Sequence, residues 1–450
     1  MRGERPAVRG ATEPTSLNAE IEELRLSNGL TIWLMPRGRL PLSTLRLVFP
    51  SGAARGPRHK SGLCELLVDL LRRGSRKRSA TEIDSALAEL GAELGTSVTD
   101  DSIRLALTVS SASLHRALRL VCDIVAEPTF PQRELVSYRK QARDGIEASL
   151  DDPEWVAGRA IFQAVFGAHP YAVPTEGYRG EVAGIVRRDL LAFQPQAIDA
   201  RGAMLLVAGD LAPLVRRQLV AEASRLRAGP AARLPVPPVP ALSDHRVLIV
   251  DKPDATQAQI RIACPGPPRN HPDFVAFLLG NGVLGGSFAS RLVNEVRVNR
   301  GLTYGIGSRF LAMEAGGMFL IRSFTRLEKV AELVKVSFDE VERLKDSGPT
   351  VEELTRVRTY QRGAFLLGNE TPEQLSGTLL DAFRYGLGPG WVARFPQLIE
   401  ETPHEAVTAA LRAHVLPSGY RIVAVGPAKS LQSSLRRFGR CKVVPLRSMA

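Results

Sequence analysis

With 450 residues, 44% of them apolar and 24% charged, the chain is long for one core and reads as a soluble protein of two or three domains. A formal charge of +12 raises nucleic acid as a partner. The densest basic run, "RRGSRKRS" (72–79), has no interleaved aromatics, and the other basic residues are scattered over amphipathic stretches, so no nucleic-acid partner is expected. No membrane span is expected either, because no apolar run approaches the ~18–20 residues needed to cross a bilayer. Residues 1–19 carry early arginines with no apolar stretch behind them, and Pro6 and Pro14 argue against an amphipathic presequence. They read as a disordered tail, not a secretory signal.

Along the chain, "LRLSNGLTIWLMP" (24–36) is strand, Asn-Gly turn, strand. "GLCELLVDLLRRG" (62–74) is an apolar helix whose Glu65 and Asp69 stack one turn apart on the same side. A second helix is expected from Thr81, with a Thr-x-x-Asp cap. "SIRLALTVS" alternates as a strand, helices fill 112–126, 131–149 and 154–166, and "MLLVAG" followed by a basic helix closes the segment. "AGPAARLPVPPVPALSDH" (228–245) is too rich in proline for a helix or central strand and reads as a semi-extended linker.

Beyond the linker the pattern repeats. The segment starting at Glu134 and the one starting at Glu353 align without a gap, matching Arg139 with Arg358, Pro153 with Pro372 and Gly167 with Gly386. "STLRLVFPSG" (43–52) likewise resembles "AQIRIACPGP" (258–267), and "MLLVAGDLAPLVRRQL" resembles "RIVAVGPAKSLQSSLRRF". Two similar domains, 20–227 and 246–445, follow. Strands grouped as hairpins beside runs of helices predict an α+β fold, each domain a mainly antiparallel sheet with helices on one face. Cys64, Cys122, Cys264 and Cys441 form no C-x-x-C, and reduced, mostly buried thiols point to the cytoplasm.

The strand "LRLVFPSG", the helical run from "SGLCELLVDLLRRGS" and the segments "TFPQRELVSYRKQARDGIEASLDDP" and "GAHPY" resemble the first half of a pitrilysin/insulinase-type zinc peptidase of the mitochondrial-processing-peptidase-like branch. "GGSFASRLVNEVRVNRGLTYGIGS" resembles that family's second domain. The family holds zinc with H-x-x-E-H on its first long helix and a distant glutamate, the helix Glu activating the metal-bound water. In the register set by the flanking "GL" and "RRGS", Glu65 and Asp69 stand for the two histidines and Val68 for the general base. Gly145, eighty residues beyond Glu65, stands for the third ligand. The resemblance thus implies a degenerate motif, with no metal or cofactor in this chain. Glu65 and Asp69 taken alone could still meet a hard ion through oxygen, or serve as structural or substrate-facing carboxylates.

"RVNRGLTY" keeps the family's other half-site. The resemblance gives Arg297 the task of gripping substrate carbonyls and Tyr304 that of stabilising the oxyanion. "GNGVLGG" (280–286) contains a formal G-x-G-x-x-G, but a helix runs into it where a dinucleotide site needs a strand. By resemblance it is a loop between helices, with Gly285 and Gly286 admitting a peptide close to the backbone. A chain without the zinc half-site that retains Arg and Tyr is expected to be the non-catalytic subunit of a heterodimeric zinc metalloendopeptidase. Its expected partner bears H-x-x-E-H and the zinc, and its expected substrate is a short unfolded peptide. A proteolytically inactive peptide-binding or scaffold protein of the same fold is the alternative.

Overall fold

The computed structural model describes residues 17, 20–38, 40–211, 215–229 and 235–450; most of the expected tail and the middle of the linker lie outside this set. In the first half, β1 (Glu22–Arg25), β2 (Thr31–Pro36), β3 (Leu42–Phe49), β4 (Gly95–Val98), β5 (Ile103–Ser110) and β6 (Met204–Gly209) form one six-stranded sheet. Its order is β1-β2-β6-β3-β5-β4, with β2 and β6 the single parallel pair.

The second half repeats the plan with β7 (His245–Asp251), β8 (Gln257–Gly266), β9 (Ile306–Ala312), β10 (Gly317–Arg326), β11 (Tyr420–Gly426) and β12 (Arg440–Pro445), in the order β12-β7-β11-β8-β10-β9. The first sheet opens on an antiparallel hairpin strand, β1, whereas the second is closed at that edge by β12, parallel to β7.

Each sheet carries helices of its own half on one face, as expected. Leu45, Leu47, Phe49, Leu105 and Leu107 pack with Leu66, Leu70, Leu118 and Ile124. The opposite face is also apolar, because the central strands are continuous runs instead of alternating ones. All six residues of β6 are buried, and so is all of β11 after Tyr420.

These second faces are covered by exchange. Helix Pro372–Arg384 of the second half lays Leu375, Leu379 and Leu380 on Trp33, Met35, Val48, Met204 and Leu206 of the first sheet. Helix Pro153–Phe166 of the first half lays Val156, Ala160, Ile161 and Val165 on Val250, Met318, Leu320, Val423 and Val425 of the second. The two helices are counterparts in the repeat and start alike, with proline in the first turn. The Asp152 carboxylate accepts from Glu154 N–H, and the Thr371 hydroxyl accepts from Gln374 N–H. Arg104 pairs with Asp381 at 2.9 Å, and Arg384 donates to Ser102 Oγ at 2.8 Å, so polar contacts join the halves as well.

One cap differs from the sequence expectation. The helix expected from Thr81 is Ala80–Glu89, and Ser79 closes a capping box with Glu82, whose carboxylate accepts from Ser79 N–H at 2.8 Å. Asp84, the expected capping partner, is drawn instead to Arg73 at 3.3 Å.

Candidate functional site

The apolar composition of "LCELLVDLL" dictates the burial of helix Leu63–Leu71. Seven of its nine residues are buried, and only Glu65 and Asp69 reach solvent, on one side. Gly62 starts it at φ 82°, a left-handed conformation, and a side chain there would lie 2.7 Å from the Glu176 carbonyl. The helix packs against Gln132–Ser149, which carries Gly145.

Burial, then the Asp69 and Glu176 carboxylates, push the Glu65 carboxyl up to about 7. Asp69 is raised too, chiefly by burial, against the pull of Arg72 and Arg73. Asp100 is likewise pushed up to about 7, by burial and then by Asp101, with a further contribution from Glu176. Sequence reasoning missed this wider acidic group. Glu176 is held by Arg159, whose Nη1 lies 2.9 Å from its carboxylate. Arg159 itself lies on the exchanged helix Pro153–Phe166, buried against the Trp155 and Tyr178 rings. Neither residue is near Glu65 in sequence, and no spacing rule joins them.

This constellation does not fit a zinc ion. Two carboxylates tending to the neutral form replace two imidazoles, and Val68 is 2% exposed within the apolar core, where it can accept no proton. Gly145 offers no side chain, and a β-carbon built there would meet nothing within 4 Å. Restoring Glu65→His, Val68→Glu and Asp69→His is therefore expected to give only weak zinc binding at this helix. Adding Gly145→Glu should tighten it by at least ~10-fold, the smallest loss typical of even an outer-shell partner. Zinc competition titrations on variants shown to be folded would measure this. Equal affinity with and without the Gly145→Glu change would show that position 145 does not stand in the ligand's place.

The second half-site is built on an unusual turn. Val293–Asn299 is a π-helix, a form that recurs at functional sites, and Arg297 lies in its last turn. Gly301, at φ 58°, reverses the chain towards β9. The loop is pinned to β10: Thr325 Oγ1 donates to Leu302 O at 2.6 Å, and Ser323 Oγ donates to Gly305 O at 2.9 Å. Tyr304 stands on this anchored loop, 78% exposed.

The Arg297 guanidinium lies 4.8 Å from the Tyr304 ring centroid and 5.0 Å from that of Phe288. It has no carboxylate partner among the described residues, and the Tyr304 hydroxyl has no hydrogen-bond partner there. Phe288, 75% exposed, is the member that sequence reasoning missed, although "GGSF" stands beside the motif. No hydrogen bond, ion pair or ring contact among the described residues joins this pair to Glu65 or Asp69.

The glycine segment is not one loop. Gly280 and Gly282 lie inside helix Phe274–Leu284, where side chains would come within 2.7 Å of Leu411 and 2.5 Å of Val357. They allow helices to pack closely. Gly285 and Gly286 end the helix, and Gly285 O accepts from Ser308 N–H of β9 at 2.9 Å. Asn281 reinforces this contact, with Ser308 Oγ 2.7 Å from Asn281 Oδ1. Gly285 is buried there and Gly286 is exposed.

Residues 39–178 match the insulinase (peptidase family M16) domain, and residues 184–360 match the peptidase M16 inactive domain. The fold superposes on a peptidase M16 inactive domain from Pseudomonas fluorescens with a TM-score of 0.85 and 28% identity, over 91% of this chain and 98% of that one. An uncharacterized zinc protease of Mycobacterium tuberculosis is 27% identical over 383 residues, which cover 83% of this chain and 85% of the relative. A non-peptidase homolog from Helicobacter pylori is 22% identical over 83% of this chain and 87% of its own length. With two tandem M16-type domains and no H-x-x-E-H in its sequence, the chain belongs to the insulinase family of M16 peptidases, as a member without the catalytic motif.

Proposed function

We propose that the chain is the non-catalytic, substrate-binding subunit of a heterodimeric zinc metalloendopeptidase, acting in trans on peptides held at a partner's H-x-x-E-H site. The observation that carries this reading is the stacking of Arg297, in the last turn of the π-helix, on Tyr304 of the anchored loop, both free of internal polar partners among the described residues, in a chain without H-x-x-E-H. The zinc and its activated water belong to the partner, and no cofactor is assigned to this chain's degenerate motif.

Within this chain, Arg297 supplies a planar fork of donors to the carbonyls of an extended peptide. The Phe288 and Tyr304 rings hold that fork in place before the peptide arrives, which reduces the ordering cost of binding. The Tyr304 hydroxyl donates to the oxyanion as the peptide carbonyl becomes tetrahedral. Gly286 leaves its backbone exposed to a peptide beside the loop, while the space a side chain would take there is filled by Asn281, 2.6 Å from a β-carbon.

The two domains of each subunit would enclose a chamber suited to short unfolded peptides. The reading puts the pair in the cytoplasm, in keeping with four unpaired cysteines, and no helix among the described residues is long and apolar enough to cross a membrane.

Co-expression with an H-x-x-E-H family member encoded beside this chain tests the proposal. A stable one-to-one complex that cleaves unstructured peptides, with no cleavage by this chain alone, is the expected result. A complex whose turnover equals that of the partner alone would put the scaffold alternative ahead.

A further inference from the structure

His271, Asp273 and His414 bring two imidazoles and a carboxylate together where two helices of the second half meet. His271 and Asp273 stand just before helix Phe274–Leu284, and His414 is the last residue of helix His404–His414. One ligand atom from each lies within 4.8 Å of the other two. Asp273 Oδ2 is 3.0 Å from His414 Nε2 and 3.8 Å from His271 Nδ1. A tetrahedral ion with nitrogen and oxygen ligands at about 2.0–2.1 Å sets those atoms ~3.4 Å apart, between the two distances.

The surroundings hold the set in place without saturating it. The two imidazole rings stand edge to face with centroids 5.0 Å apart, and His414 packs against the Phe277 ring. His271 Nδ1 accepts only a long bond, 3.2 Å, from Asp273 N–H, which a metal ion would displace. A groove of about 560 Å³, lined by Pro265, Pro268, Glu314 and Gly316 as well as both histidines, leaves a fourth position open to water. His414 also sits at a helix C-terminus, where the backbone dipoles favour positive charge.

We propose that His271, Asp273 and His414 form a site for one divalent transition-metal ion of the Zn²⁺ class, joining the end of one helix to the start of the other. Imidazole ligands favour such an ion over Mg²⁺ or Ca²⁺. The site is separate from the degenerate motif around Glu65 and does not depend on the proposed peptidase role. The expectation of no metal in this chain rests on that motif alone. His414 lies 141 residues beyond Asp273, where no ligand spacing could announce it.

Equilibrium dialysis of the metal-stripped full chain against Zn²⁺ is expected to give one ion per chain, undiminished by excess Mg²⁺. His414→Ala and His271→Ala should each weaken binding by at least ~10-fold, and the paired change Glu65→Gln with Asp69→Asn should leave it unaltered. Co²⁺ in place of Zn²⁺ should give the strong visible bands of a tetrahedral site, absent in His414→Gln. His414→Gln is a milder change that guards against loss of fold. No bound ion in the wild type would overturn the proposal. So would binding that survives in both histidine variants, or that is lost with Glu65 and Asp69.

Discussion

Tyr304→Phe in the reconstituted pair is expected to lower kcat and kcat/KM together by roughly 10²–10³-fold, the loss typical of one oxyanion donor. The change removes a hydroxyl that makes no internal hydrogen bond among the described residues, and it keeps the ring on which Arg297 stacks. The half-site and the complex should therefore survive, and subunit stoichiometry should be unchanged. Arg297→Ala differs in kind: it should raise KM as well, because a fork on substrate carbonyls acts in the ground state too. Steady-state kinetics of both variants at fixed zinc content separate the two roles. Wild-type turnover in both would remove the in-trans role.

Glu65→Gln should stabilise the isolated chain by about 2–3 kcal/mol above pH 7, allowing for partial solvent access. The sign follows from the direction of the shift. The folded chain holds the Glu65 proton up to about 7, whereas an unfolded carboxyl releases it near its ordinary value of ~4.3. Between those values the folded state binds more protons, so wild-type stability falls as pH rises, and the penalty is complete above pH 7. Glutamine carries no such penalty, so its advantage should vanish below about pH 4. Urea unfolding at a series of pH values would measure the difference, with Asp100 common to both proteins. A Glu65→Gln variant less stable than wild type at pH 8 would mean that the Glu65 charge is stabilised in the native chain.

What the sequence disclosed, and what it withheld, divides by the range of the interaction. The Asn-Gly hairpin, the helix around Glu65 and the Arg297–Tyr304 loop are set by residues a few positions apart, and they stand where the pattern put them. The exchange of Pro153–Phe166 and Pro372–Arg384 was not legible. The two halves are similar, so an apolar helix fits its own sheet and its counterpart's equally well by pattern, and only the three-dimensional path of the chain decides. That uncertainty hid Arg159 and its hold on Glu176, since both depend on where the exchanged helix lands. Gly280 and Gly282 were misplaced for a related reason. Glycine weakens a helix by about 1 kcal/mol in isolation, and only the approach of Leu411 and Val357 explains its presence.

The helix exchange also has a consequence for biosynthesis. When β6 leaves the ribosome, the first sheet has all its strands, yet Trp33, Met35, Val48, Met204 and Leu206 have little more than Leu17 and Ile21 against their outer face. Their covering helix begins only at Pro372, about 160 residues later, a delay of ~10–30 s at ordinary elongation rates. Throughout that interval the nascent chain presents a sheet face of core composition to solvent, a template for aggregation. A chain interrupted anywhere before that helix would keep the face bare, so truncated products are expected in inclusion bodies or bound to chaperones, and the first domain alone is a poor candidate for soluble expression.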